Sequence, residues 1–259
     1  MKWESQMHKN NRKNEISKDI SVKAIFFDLD HTLVDCETAD LRTYEIIAQI
    51  ARSTVFDMYT PALIHDFRQL LVAAPFDPQG IIDVHTWRTG LWKKALAIQN
   101  INHPDLPERL NQAFHGERLA FYAFTPDIHA MLKKLLQDYT GIIITNGDAT
   151  IQRPKLAACK AEELFGSNII VGGEEKHEKP HPSIFLKACE LAQCKPNEAI
   201  MVGDRLKTDI LGGFNAGLGA TVWVNPKNEP IKDNNPIPHF QIVSMMELPS
   251  IMAHLKNMI

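Results

Sequence analysis

The sequence predicts an α/β protein in which helices cover both faces of a doubly wound parallel sheet, with an all-helical cap inserted after the first strand. Two observations support this fold. After residue 124, short β-prone apolar runs alternate with helical stretches, which is typical of a parallel sheet. Residues 38–123 show helical periodicity and no convincing strand. We therefore predict a core of residues 21–37 and 124–259 and a cap of residues 38–123.

The first strand and the cap account for the first half of the chain. Residues 23–27 form an apolar run of the kind found in buried parallel strands, and the run ends at Asp28. A turn is predicted at residues 30–32. The cap helices are predicted at residues 40–54, 61–73, 87–99 and 106–122, separated by Pro75, Pro78, Gly80 and the segment 100–107.

Strands and helices alternate in the second half. The predicted strands are residues 141–145, 168–171, 199–202, 221–224 and 239–243. The predicted helices are residues 125–139, 149–160, 182–193 and 206–216, with one more at the C-terminal end. Pro182 favours a helix start, since proline is tolerated in the first turn. Pro154 is expected near the start of its helix or at a kink.

Composition favours a soluble, cytoplasmic protein. Hydrophobic residues make up 44% of the 259 residues, and the net charge of −3 argues against nucleic-acid binding. The sequence contains no run of ~18 apolar residues, so we predict no membrane span. The four cysteines lack the spacing of a zinc or redox site and are interpreted as reduced, mostly buried thiols. The sequence does not predict the oligomeric state.

Residues 1–20 are interpreted as a disordered tail. They are polar, carry charges of both signs and lack the apolar stretch of a signal peptide. A degraded transit peptide stays open as an alternative. The tail is therefore excluded from the predicted core.

Polar residues follow four of the predicted strands, and ligands bind at this edge of doubly wound sheets. They are Asp28 and Asp30 after the first strand, Thr145, Asn146 and Gly147 after the second, Lys179 after the third, and Asp204 and Asp209 after the fourth. Any one of them could be a helix cap or a turn residue. Their occurrence at consecutive strand ends predicts a shared site.

These residue types suit phosphoryl transfer. A carboxylate can attack phosphorus and form an acyl phosphate. Because both groups are anions, a divalent cation must screen them, and Mg²⁺ prefers oxygen ligands. We expect Asp28, Asp204 and the backbone carbonyl of Asp30 to bind it. Asp30 is also placed to act as a general acid and base, while Thr145 and Lys179 can bind the phosphate oxygens.

The same motifs resemble those of the haloacid dehalogenase-like (HAD) hydrolase superfamily over about residues 23–225. They are Asp28-x-Asp30-x-Thr32, Thr145 at a strand end, Lys179-Pro180 and Gly203-Asp204-x-x-x-x-Asp209. The resemblance implies a Rossmann-like core with a helical cap, Asp28 as nucleophile, Asp30 as general acid and base, and a magnesium ion held by Asp204. It implies that Asp209 contacts either waters on the metal or Lys179.

The resemblance also implies a phosphate-binding set and narrows the reaction. The set is Leu29, His31, Thr145, Asn146, Gly147 and Lys179. His31 departs from the glycine or asparagine often found there, so its backbone amide is expected to matter more than its ring. Family dehalogenases lack the second aspartate and P-type pumps carry threonine there, so Asp30 favours a phosphatase or a phosphomutase.

Further stretches resemble the N-acylneuraminate-9-phosphatase family more narrowly. In the core these include residues 144–148, 171–174, 178–185 and 201–204, and in the cap mainly Arg88-Thr89-x-x-Trp92 and Arg118-Leu119. The resemblance implies N-acylneuraminate 9-phosphate as substrate. A bidentate guanidinium suits its distal carboxylate, which makes Arg88 and Arg118 candidate ligands.

Several alternatives stay open. Both arginines could instead pair with cap carboxylates, and Trp87 and Trp92 are more simply explained by core packing. The substrate could be a nucleoside monophosphate or another sugar phosphate. The protein could also be a phosphomutase or a non-enzymatic binding module.

Overall fold

The computed structural model describes residues 21–74 and 82–257. The predicted tail and the breakers Pro75, Pro78 and Gly80 lie outside these residues. Within them, no helix combines the length and the apolar character needed to cross a membrane.

The centre of the fold is a six-stranded parallel sheet, as the sequence predicts. Its strands are β1 (Ala24–Phe27), β2 (Thr140–Thr145), β3 (Ile169–Val171), β4 (Ala199–Gly203), β5 (Ala220–Val224) and β6 (Phe240–Ile242). The strand order is β3-β2-β1-β4-β5-β6, so the chain builds outward from β1 first to one side and then to the other. This order places the switch point of a Rossmann-like sheet between β1 and β4.

Strands β1, β3 and β4 carry no polar side chain and are buried throughout, because both faces of the sheet are covered there. Phe26 packs in one buried cluster with Ile142 and Ile144, while Phe27 packs in another with Ile143. Successive side chains of a strand point to opposite faces. The run AIFF therefore contributes to both layers of the core.

Each of the four core helices whose bounds the sequence predicts is shorter in the structure. The core helices are α5 (Pro126–Leu135), α6 (Ala149–Ala158), α7 (Ala161–Phe165), α8 (Pro182–Leu191), α9 (Leu211–Asn215) and α10 (Leu248–Lys256). The predicted helix 149–160 ends earlier, since Lys160 has a left-handed backbone (φ 54°) and α7 follows it. The predicted helix 206–216 divides into a π-helical turn, Leu206–Ile210, and α9. Pro154 lies inside α6.

Four helices lie between β1 and α5 in the described residues: α1 (Cys36–Thr54), α2 (Thr60–Ala73), α3 (Val84–Ile98) and α4 (Leu106–Ala120). They share a hydrophobic cluster in which Phe67 stacks on Trp92, with ring centroids 3.5 Å apart. Trp92 is fully buried, as the packing interpretation predicts. Helix α1 begins at Cys36, because the Asp35 side chain caps it by accepting a hydrogen bond from Thr38 N. The domain boundaries at residues 37 and 124 stay predictions.

Candidate active site

Three carboxylates meet at the switch point of the sheet. Asp28 follows β1, Asp204 follows β4, and Asp209 lies in the π-helical turn after it. Oxygen atoms of all three lie within 4.8 Å of one another. They meet because β1 and β4 are paired in parallel, with Phe27 opposite Val202, so both strands deliver their next residues to one edge.

The charges of these carboxylates are poorly compensated by the protein. Burial raises the pKa of Asp28 to about 6, assisted by Asp209 and opposed by Lys179. Burial and the nearby Asp28 raise the pKa of Asp204 to about 7. Asp204 Oδ1 is buried and has no hydrogen-bond partner among the described residues. A crowded set of hard oxygen ligands with an orphaned atom fits a divalent cation such as Mg²⁺.

Lys179 is buried beside the cluster. Its Nζ lies 2.7 Å from Asp28 Oδ1 and 2.7 Å from Asp209 Oδ1. Although burial lowers the pKa of a lysine, these two carboxylates raise that of Lys179. Asp209 thus contacts Lys179 directly, one of the two roles that the resemblance allows it. Its carboxylate packs so closely on Gly203 that a side chain at that position would collide with it.

The predicted phosphate-binding residues follow β1 and β2 or, like Lys179, contact Asp28 directly, but several of their polar groups already have partners. The Asn146 side chain exchanges two hydrogen bonds with the Lys179 backbone, at 2.8 Å and 3.0 Å. Gly147 N donates to Glu178 Oε1, and His31 N donates to Val34 O and Cys36 Sγ. The Leu29 side chain is fully buried, which leaves only its backbone for a ligand. Their binding of phosphate stays a prediction, and Thr145 and Lys179 offer the side chains best placed for it.

Asp30 is held by three residues that the sequence motifs do not include. Its Oδ1 accepts a hydrogen bond from Tyr122 OH, and its Oδ2 lies 2.7 Å from Lys155 Nζ and 3.2 Å from Gln152 Nε2. Although burial raises the pKa of a carboxyl, Lys155 and Tyr122 hold that of Asp30 well below its usual range. Asp30 is therefore ionised in this arrangement.

A signal for two of these residues exists in the sequence. Asp148 caps α6 by accepting from Thr150 N, so the first turn of the helix starts directly after β2. Gln152 and Lys155 are three residues apart, and residues at this spacing share one helix face. A polar pair on the face nearest the strand ends could have been predicted to reach the site. Tyr122 has no such local signal.

The two cap arginines and Lys155 line a small cavity between the cap helices and α6. Its other lining residues are Phe114, His115, Leu119 and Ile151. Arg118 pairs with the cap carboxylate of Asp40, as the alternative interpretation expects. Arg88 forms no ion pair among the described residues, and its buried Nε has no hydrogen-bond partner there. Burial, together with Arg118, lowers the pKa of Arg88 to about 10.

Comparison with known proteins identifies the family. The sequence profile of the haloacid dehalogenase-like hydrolases matches residues 22–217. The chain belongs to the haloacid dehalogenase-like hydrolases. This membership confirms the family resemblance and agrees with the strand-end positions of Asp28, Thr145 and Asp204.

Several relatives within the HAD hydrolases are phosphatases. The chain is 36% identical over 239 residues to N-acylneuraminate-9-phosphatase of Mus musculus, covering 90% of this chain and 95% of the relative. The Homo sapiens enzyme is 35% identical over 237 residues, with the same coverage. Glyceraldehyde 3-phosphate phosphatase of Pyrococcus furiosus is 31% identical, covering 78% of this chain and 80% of the relative. The prediction of a HAD-type phosphatase is confirmed at this level.

Solved HAD structures share the fold. The YfnB hydrolase of Bacillus subtilis, solved with bound magnesium, superposes with a TM-score of 0.70 at 22% identity, covering 90% of this chain and 99% of YfnB. L-2-haloacid dehalogenase of Xanthobacter autotrophicus gives a TM-score of 0.62 at 16% identity, covering 90% and 98%. These similarities support the fold alone.

Proposed function

We propose that this chain is a magnesium-dependent phosphatase that hydrolyses N-acylneuraminate 9-phosphate through an aspartyl phosphate on Asp28. The reaction is supported chiefly by the half-buried Asp204 and the buried Asp28 and Lys179, which lie together at the switch point of the sheet. The substrate is supported by the 36% identity over 90% of the chain with the mouse phosphatase of that name.

In the first step, Asp28 attacks phosphorus and the bond to the leaving oxygen breaks. Mg²⁺ held by Asp28, Asp204 and the carbonyl of Asp30 would offset the negative charges that otherwise keep the carboxylate and the phosphate apart. Lys179 and the Thr145 hydroxyl bind phosphate oxygens, which carry charge in the transition state. Asp30, ionised in the arrangement described above, takes up a proton before this step and gives it to the leaving alkoxide.

In the second step, water attacks the phosphorus of the aspartyl phosphate. Asp30 takes the proton from that water, inorganic phosphate leaves, and the Asp28 carboxylate is restored. Taking this proton returns Asp30 to the protonated form in which it enters the first step. Tyr122 and Lys155 bind the ionised carboxylate that results from the first step.

Removal of the metal is expected to lower turnover of p-nitrophenyl phosphate at least about tenfold, since three carboxylates would then face the substrate without screening. Ca²⁺ is expected to inhibit, because it takes more ligands at longer distances and would engage the attacking oxygen of Asp28. The measurement is steady-state hydrolysis in excess chelator, followed by addition of Mg²⁺ or Ca²⁺. Full activity in excess chelator would refute the metal assignment.

The cap cavity supports a substrate with a second anionic group. Arg118 pairs with Asp40 and Lys155 with Asp30, which leaves the buried guanidinium of Arg88 over the Phe114 ring and without an ion pair among the described residues. A buried charge without a partner is costly. A carboxylate that widens this cavity, whose volume is about 10 Å³, would provide one, in the bidentate geometry that a guanidinium favours.

Replacing Arg88 or Arg118 by alanine is expected to lower kcat/KM for N-acylneuraminate 9-phosphate by at least about tenfold, or about 1.4 kcal/mol. Turnover of p-nitrophenyl phosphate should hardly change, because that substrate lacks a distal carboxylate. Arg42→Ala, at an exposed position of α1 paired with Glu45, is the matched control and should affect neither substrate. Equal losses on both substrates would indicate a folding or cap-closure defect.

A panel of phosphorylated metabolites tests the substrate. It should include N-acylneuraminate 9-phosphate, glyceraldehyde 3-phosphate, nucleoside monophosphates and other sugar phosphates. We expect the highest kcat/KM for the sialate phosphate. Much faster hydrolysis of another metabolite in the panel would overturn the substrate assignment but not the assignment as a phosphatase. Absence of hydrolysis on every substrate with Mg²⁺ would favour a binding module.

A further inference from the structure

We infer that Gln152 is a positioning residue that aims the Thr145 hydroxyl at the substrate phosphate and ties it to Asp30. The inference rests on the proposed function, in which Thr145 binds phosphate and Asp30 transfers protons. Gln152 would not touch the substrate itself. It would act through its hydrogen bonds, which orient the Thr145 hydroxyl.

One amide nitrogen joins the two functional side chains. Gln152 lies in the first turn of α6, where its backbone N donates to Asp148 O at 3.0 Å. Its Nε2 lies 2.5 Å from Thr145 Oγ1 and 3.2 Å from Asp30 Oδ2. The side chain is only 2% exposed, so water does not compete freely for these hydrogen bonds.

The chemistry of the partners fixes the orientation of the amide. A lysine ammonium can only donate, and Lys155 Nζ lies 2.7 Å from Asp30 Oδ2, so this oxygen is an acceptor and the group of Gln152 that faces it is the NH₂. The second hydrogen of this NH₂ is then donated to Thr145 Oγ1. The amide carbonyl points elsewhere. Gln152 therefore acts as a donor to both partners.

This orientation determines what the Thr145 hydroxyl can do. A hydroxyl has one hydrogen to donate and two lone pairs to accept with. Because Gln152 occupies a lone pair, the hydrogen of Thr145 stays available, and no described residue accepts it. Phosphate oxygens are strong acceptors. Gln152 thus prepares Thr145 as a donor for phosphate, and it couples this group to Asp30 through one rigid amide.

A double-mutant cycle on binding of inorganic phosphate tests the inference. Calorimetry in the presence of Mg²⁺ would measure phosphate affinity for wild type, Gln152→Met, Thr145→Val and the double variant. Gln152→Met is expected to weaken phosphate binding about tenfold in the wild-type background. The Thr145 hydroxyl would then lose the orientation from which it donates a hydrogen bond to the charged phosphate. In the Thr145→Val background it should change binding less than about twofold, because the hydroxyl that it orients is gone.

Two further variants complete the design. Gln112→Met removes an exposed glutamine of α4 that bonds to Glu108, and it should leave phosphate affinity unchanged. Gln152→Glu keeps the shape of the side chain if methionine packs poorly. Its carboxylate only accepts, so the Thr145 hydroxyl would turn toward it, and phosphate affinity should fall at least as far as in Gln152→Met.

The outcomes are distinct. Equal weakening by Gln152→Met in both backgrounds would mean a purely structural role and would overturn the inference. Wild-type affinity in Gln152→Glu would overturn it as well. If wild type neither binds phosphate nor hydrolyses p-nitrophenyl phosphate with Mg²⁺, the proposed function fails and the inference fails with it. If wild type is active but the effects of the two substitutions on phosphate affinity are additive, the inference about Gln152 fails and the proposed function stands.

Discussion

Asp28→Asn is expected to reduce phosphatase turnover by ~10⁴-fold or more, as removal of a catalytic nucleophile does in other hydrolases. An amide has nearly the shape of a carboxylate but is a poor nucleophile. Hydrolysis of p-nitrophenyl phosphate and of the sialate phosphate would measure the loss. Wild type should also give an acid-stable, hydroxylamine-sensitive phosphoprotein when quenched during turnover, and the variant should not.

The fold should survive this substitution. Burial raises the pKa of Asp28 to about 6, so keeping this carboxylate ionised costs free energy. A neutral asparagine side chain carries no such cost. Lys179 keeps its second partner, Asp209, at 2.7 Å. Thermal unfolding should therefore change little. Asp138→Asn, at an exposed position, is the control for amide substitution as such. Substantial activity in a pure Asp28→Asn preparation would rule out the covalent mechanism.

Asp30→Asn is expected to lower kcat/KM for an alkyl phosphate by ~10²–10⁴-fold, the usual contribution of general acid–base catalysis. An alkoxide is a poor leaving group and needs the proton that Asp30 supplies. For p-nitrophenyl phosphate, kcat/KM should fall much less, because this constant reports the first step and p-nitrophenolate leaves without a proton. The ratio of the two losses is the diagnostic quantity.

The second step gives an independent reading of Asp30. Attack of water on the aspartyl phosphate needs a base whatever the leaving group was, so kcat should fall for both substrates. Phosphoprotein should then accumulate in the variant during turnover of p-nitrophenyl phosphate. A loss well below tenfold in kcat/KM on the alkyl phosphate would argue against the acid role. Absence of accumulated phosphoprotein would argue against the base role.

The sequence by itself determined the sheet and the reactive set. Apolar runs at β1, β2 and β4 could be recognised locally, because strands buried on both faces have no polar alternation. The parallel arrangement then fixed that residues just after these strands meet at one edge. Asp28, Thr145 and Asp204 could be predicted as neighbours for this reason, although they lie far apart in the chain.

Only the tertiary structure decided the environment of each group. Tyr122 and Lys155 reach Asp30 across 92 and 125 positions of the chain, and neither follows a strand. Tyr122 lies just after α4 and Lys155 lies in α6, so their contacts with Asp30 depend on how these two helices pack. The packing depends in turn on side-chain volumes and on where each helix ends. The pKa of Asp30 depends on these contacts, so no motif could give it.

The cap shows the same division between sequence and structure. Helical periodicity predicted its helices and the burial of Trp92, because both follow from local pattern. Arg88 and Arg118 were indistinguishable as candidates in the sequence. Packing separated them by placing Asp40 beside Arg118 and leaving Arg88 buried without an ion pair among the described residues. Charge compensation is set by distances between elements, and these distances exist only once the helices have docked.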